Sequence, residues 1–236
     1  MKNGLIDGEI RKNRSATAEV TVLTDNKRPL ANRELMIAQT NHKFLFGING
    51  FDICVATSES AGDKKELADR RVEKLAALFN FVTLPFYWGR FEPQKERPIT
   101  DSLKKAAEWC RDHHLLAKGH PLCWHTLTAD WLLPLSNREI LQAQVSRIRR
   151  EVSDFRGLID TWDVVNEAVI MPIFDKYDNG ITRICKEMGR IETIRIMFDT
   201  ARETSPTATL LLNDFDISPA YDILVEAVWK PGSRSM

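Results

Sequence analysis

Residues 158–167 read Leu158-Ile159-Asp160-Thr161-Trp162-Asp163-Val164-Val165-Asn166-Glu167. A short apolar run that ends in an amide and a carboxylate has the pattern of a buried strand whose last residues emerge at a sheet end. Ahead of it, Ser136-Asn137-Arg138-Glu139 has the form of a capping box. There a serine and a glutamate satisfy the free N–H groups of a helix start, and the helix runs to about Phe155. Behind it, Glu192 to Glu203 reads as a helix that stops before Pro206. Leu210-Leu211-Leu212 then centres a further strand. A strand bracketed by helices in this way implies parallel strands joined by crossover helices.

The alternation extends in both directions. Phe44-Leu45-Phe46-Gly47-Ile48 is a nearly all-apolar strand, followed by a helix over Lys64 to Phe79 with Leu67, Val72, Leu75, Ala76 and Phe79 on one face. Phe81 to Leu84 is the second strand, Asp101 to His114 the second helix and Leu115 to His120 the third strand. Pro219 to Trp229 is a fifth helix with proline in its first turn. No G-x-G-x-x-G or G-K-[ST] follows the early strands, which argues against a nucleotide-binding sheet. The remaining solution is α/β, a (β/α)8 TIM barrel over residues 44–236. With five strands visible and fewer residues than the roughly 250 of a typical barrel, it reads as truncated after about five β/α units. Two unclosed edges then predict a monomer that is marginal or prone to aggregate.

Residues 1–43 follow another rhythm. Thr17 to Val22 alternates polar and apolar, Asp25-Asn26 and Pro29 are turn residues, Glu34 to Gln39 is a second strand candidate and Asn41-His42 a second turn. These predict a small antiparallel β module. Met1 to Arg14, MKNGLIDGEIRKNR, holds no apolar core of signal-peptide length, and no run approaches the roughly 20 apolar residues of a membrane span. The expectation is a soluble chain without an export address or a membrane partner.

Lys+Arg and Asp+Glu each number 33, so no basic excess calls for nucleic acid, and an uncharged substrate fits. Oligomeric state stays open. Cys54, Cys110, Cys123 and Cys185 are widely spaced without a C-x-x-C pair, and read as buried thiols. No cofactor or metal is expected. His120 and His125, with Cys123 between them, are open to a zinc reading, a structural one or a substrate-facing one, but no further His or Cys follows at ligand spacing. His113-His114 close a helix, where cations suit the dipole. Trp131 is a candidate core aromatic.

In a barrel, chemistry sits at the C-terminal ends of the strands. Here those ends carry Trp88, then His120, Trp124 and His125, then Asn166 and Glu167, then Asn213. Aromatic platforms with amides, imidazoles and carboxylates suit a polyhydroxylated ring. Glu167, just past an apolar run, suits the carboxylic acid that glycoside cleavage requires. A solvated loop glutamate is the alternative.

In order, the chain presents Phe79-Asn80-Phe81-Val82-Thr83, Glu92-Pro93, Lys118-Gly119-His120-Pro121-Leu122-Cys123-Trp124-His125, Trp162-Asp163-Val164-Val165-Asn166-Glu167-Ala168 and Leu212-Asn213-Asp214-Phe215. Over about residues 44 to 229 this resembles glycoside hydrolase family 10, the endo-1,4-β-xylanases. The resemblance implies a retaining mechanism on internal β-1,4 bonds of xylan or a related plant polysaccharide, and a family that is usually secreted. It gives Glu167 the acid/base role and Asn166 the 2-hydroxyl of the reacting sugar. It sets His120, Trp124 and His125 around the subsite of cleavage. Two departures stand out. Leu84-Pro85-Phe86-Tyr87-Trp88 replaces the family's Glu-Asn pair and Lys after strand two. The family's nucleophile lies on strand seven, beyond the strands visible here. A non-catalytic carbohydrate-binding remnant is therefore the alternative function.

Overall fold

The computed structural model describes residues 8–13, 15–38, 43–59, 61–216 and 218–229. Contacts divide the chain into Met1–Lys43 and Phe44–Met236. In the first unit a helical turn covers 8–13, and one antiparallel bridge joins Leu23 to Pro29. The strands expected at 17–22 and 34–39 form no ladder among the described residues, and the second turn at 41–42 lies outside them. Val20 and Met36 are exposed, so alternation there has no partner face to bury against.

The second unit is built from five strands: β1 Gly47–Asn49, β2 Phe81–Pro85, β3 Leu116–His120, β4 Thr161–Asn166 and β5 Thr209–Asn213. Each pairs in parallel with the next, in the order β1-β2-β3-β4-β5. The helices are α1 Phe51–Ala56, α2 Lys64–Leu78, α3 Trp88–Phe91, α4 Thr100–Asp112, α5 Asn137–Asp154, α6 Gly180–Met188, α7 Arg190–Thr204 and α8 Pro219–Trp229. Strand order equal to chain order is what successive crossovers of one hand produce. Short 3-10 turns at Asp130–Leu132 and Met171–Ile173 break the loops after β3 and β4. The helices expected from period and caps are present. α1, α3 and α6 were not anticipated, the first two being too short to show a period.

The core lies between sheet and helices. Trp162 on β4 is fully buried, edge-on to Phe86 at 5.0 Å and Phe155 at 6.3 Å. Gly119 on β3 makes room for it: a Cβ there would lie 2.2 Å from Trp162 Cζ3. The capping box of α5 forms as read, with Ser136 and Glu139 satisfying each other's backbone N–H. Inside α5, buried Arg147 donates to the carbonyls of Phe86, Leu122 and Pro121, and pairs with Glu151 at 2.8 Å. A buried guanidinium is tolerable only when paired and hydrogen-bonded in this manner. Arg147 thereby ties α5 to the chain just after β2 and β3. Among the described residues no helix is long and apolar enough to cross a membrane, and all four cysteines are free.

Candidate active site at the strand ends

β3 and β4 set the floor. Along a strand, residues two apart share a face, so Lys118 and His120 point the same way. Both reach one carboxylate oxygen: Lys118 Nζ lies 2.7 Å and His120 Nδ1 2.6 Å from Asp163 Oδ2. Asp163 is fully buried; the Lys118 ammonium compensates its charge and His120 adds a hydrogen bond.

β4 then shifts register. Asp163 pairs with Leu211 and Val165 with Leu212, leaving Val164 as a bulge. Parallel partners in register face the same side, so Asn166 and Asn213 share the face of Asp163 and Leu211. Without the bulge, period two would turn Asn166 to the helix side. Asn213 Nδ2 donates to Asn166 Oδ1 at 2.6 Å, which leaves the Asn166 NH2 as its donating end.

The next residue leaves the strand through left-handed backbone. Glu167 has φ 54°, which for a side chain with a Cβ costs about 1–2 kcal/mol. Its N–H donates to Asn213 O at 2.7 Å, which holds the turn. The carboxylate is oriented by Trp124, whose indole Nε1–H donates to Oε2 at 2.8 Å. His125 Nε2 stands 3.6 Å from the same oxygen, too long for a hydrogen bond but close enough for electrostatic contact. Burial pushes the His125 pKa down to about 4, against an upward pull from Asp214, so the ring is neutral near pH 7. Its Nδ1 is buried and has no partner among the described residues, which favours the tautomer with the proton on Nε2, facing Glu167.

A line of rings continues along the rim. Phe51, Tyr87, Trp124, His125, Phe174 and Tyr177 follow one another with centroids 4.4–6.2 Å apart. His120 stands edge-on to Tyr87 at 5.8 Å. The acidic neighbours are committed elsewhere: Asp214 accepts the N–H groups of Val169 at 3.0 Å and Asp216 at 3.1 Å.

His120, Trp124, His125, Asn166, Glu167 and Asn213 are thus brought together. Trp88 is not, and its expected place on the rim is corrected. It is 4% exposed, its N–H donates to Glu92 at 3.1 Å, and its ring packs on Trp131 and under Arg147. The turn into α3 sends Trp88 inward and leaves Tyr87 at the rim. A cavity of about 380 Å³ beside Trp88, Trp131 and Arg150 lies among those packing residues. Asp163, Lys118, Tyr87 and Phe174 were missed. A charged Asp inside an otherwise apolar strand is the signal that marks Asp163. Tyr87 offered none that separates it from Trp88. His113 packs on Trp109 at 3.8 Å, away from the rim residues. Among the described residues, no group of three or more His, Cys, Asp or Glu is placed to hold a metal ion.

Residues 46–230 match the family described as glycosyl hydrolase family 10. The chain is 30% identical over 156 residues to endo-1,4-beta-xylanase B of Thermotoga neapolitana, covering 64% of this chain and 43% of that one. Its structure superposes on xylanase 10B of Thermotoga maritima with a TM-score of 0.59 at 27% identity, covering 76% of this chain and 53% of that one. A family 10 structure from Paenibacillus barcinonensis matches with a TM-score of 0.62 at 22% identity, which speaks for the fold alone; the cover is 78% and 56%. The chain therefore spans about half the length of these three relatives.

Proposed function

Because the chain belongs to glycosyl hydrolase family 10, we propose that its rim is part of a retaining glycosidase site acting on internal β-1,4 bonds of xylan or a related plant polysaccharide, with Glu167 as the acid/base. The observation that carries this reading is the mounting of Glu167. It sits on a left-handed turn at the end of β4, and its Oε2 is pinned by the Trp124 indole. Among the described residues Oε1 has no hydrogen-bond partner, so that oxygen is the one that meets substrate.

In a retaining reaction this group protonates the glycosidic oxygen as the bond breaks, then takes a proton from the water that releases the sugar. Neutral His125 stands 3.6 Å from Oε2 without adding a positive charge. The free NH2 of Asn166 is the donor for the 2-hydroxyl of the reacting sugar. His120, locked on Asp163, and Trp124 frame that sugar. Rings strung along the rim suit a chain of several sugars lying across the site, as endo cleavage requires. Retention needs a second carboxylate about 5–5.5 Å from the acid. Asp163 and Asp214 are engaged by their own partners, so we place the nucleophile outside the five described strands.

That same engagement favours a second reading, a carbohydrate-binding remnant that holds the polymer without cutting it. Reducing-sugar release from xylan and mixed-linkage glucan, measured beside Glu167→Gln and beside calorimetric titration with xylohexaose, separates the two. Hydrolysis that falls about 10²–10⁴-fold in the variant is expected for the acid/base role. Binding without hydrolysis in either protein supports the remnant. Absence of both overturns the two together.

A further inference from the structure

Among the basic side chains around the rim, Lys118 and His120 are spent on Asp163. Arg90 is not. Its side chain is exposed, and no ion pair among the described residues includes it. Its guanidinium carbon lies over the Tyr87 ring, 5.9 Å from the centroid. Tyr87 in turn stands 5.7 Å from Trp124, the residue that holds Glu167. The charge is therefore about one ring's breadth from the line on which the polymer is proposed to lie.

The short helix that carries Arg90 is fixed on both sides. Trp88 is buried against Glu92, and the Gly89 N–H donates to Leu127 O at 2.7 Å. A Cβ at position 89 would lie 2.6 Å from Thr128 O, so only glycine permits that approach. Arg90 is thus presented at a set place, propped by a ring that stabilises a cation on its face.

Resting on the glycosidase reading above, we infer that Arg90 marks a subsite for a carboxylate-bearing sugar branch, a uronic acid carried by the polysaccharide backbone. Neutral sugars offer a guanidinium only hydroxyl acceptors, whereas a carboxylate forms a stronger, charge-assisted, bidentate pair with it. With formal net charge zero the attraction is local and does not come from the protein as a whole. The loop that holds Tyr87 and Arg90 is also the one that departs from the family's Glu-Asn-Lys pattern, so recognition there is of a different kind.

The test is calorimetric titration of the full chain with xylotetraose and with xylotetraose carrying one glucuronic acid branch, at low and at 0.5 M salt. An exposed pair of this kind predicts about two- to fivefold tighter binding of the branched sugar at low salt, a preference that salt screens away. Arg90→Gln brings the ratio of the two affinities to about one, and Arg90→Glu inverts it. Equal affinities in the parent protein, or a preference that survives Arg90→Gln, overturn the subsite. Failure of both sugars to bind overturns the subsite, while the glycosidase reading falls separately, when the same protein releases no reducing sugar from xylan that Glu167→Gln abolishes.

Discussion

His125 shows how one residue serves site and stability in opposite senses. It is 1% exposed, and burial outweighs Asp214 in setting its pKa at about 4, against an ordinary 6.5. The unfolded chain therefore binds the proton more tightly than the folded one. Stability is complete above pH 6.5 and is lost as pH falls toward 4, by about 3 kcal/mol in all. Urea unfolding between pH 7 and pH 4.5 should show this decline, and His125→Gln should flatten it. An unchanged slope in the variant would refute the assignment. The sequence placed His125 beside Glu167 by resemblance, but nothing in it separated a neutral ring from a charged one. That distinction comes from burial, to which Phe174 contributes, packed on it at 4.4 Å and 49 residues on in the chain.

At the scale of elements, β3 and β4 meet through a single missing side chain. Gly119 leaves the space that the Trp162 ring fills, with Cε3 2.3 Å and Cζ3 2.2 Å from where a Cβ would stand. Gly119→Ala forces the buried indole and its strand to move, at a cost of about 1–3 kcal/mol or more. Thermal unfolding reads this as a clear drop in Tm; a Tm equal to the parent's would mean that the indole has somewhere to go. The long helices were legible because period and caps repeat over several turns, and the Ser136 to Glu139 box formed as read. Four-residue α3 was not, since a single turn has no period to see. Its rotation is what exchanged Trp88 for Tyr87 at the rim. The bulge at Val164 was equally hidden, because Asp163-Val164-Val165 reads as ordinary strand until a neighbour supplies the register.

At the scale of the whole molecule, β1 and β5 each have one hydrogen-bonded neighbour among the described residues. Phe46, just before β1, is 51% exposed, and Phe215, just after β5, 68%. Unpaired parallel edges beside apolar surface invite pairing with other chains. Light scattering should therefore rise steeply with protein concentration, and a hydrophobic dye should bind the purified chain. A monodisperse monomer that leaves the dye dark would show that these edges are protected. The parallel sheet with its crossover helices was legible from alternation, because each crossover repeats the same strand and helix pattern. How residues 1–43 fold was not, since alternation without a partner face specifies no ladder.

The reach of Arg147 has one more consequence. The carbonyls it collects belong to Phe86, Pro121 and Leu122, all of which leave the ribosome before it does. Until α5 has emerged, the arms bearing Tyr87 and Trp124 lack the donor that sets them. A nascent chain with three finished strands therefore still has an unset rim, and the shape of the groove is decided late, by a helix that never touches what lies in it.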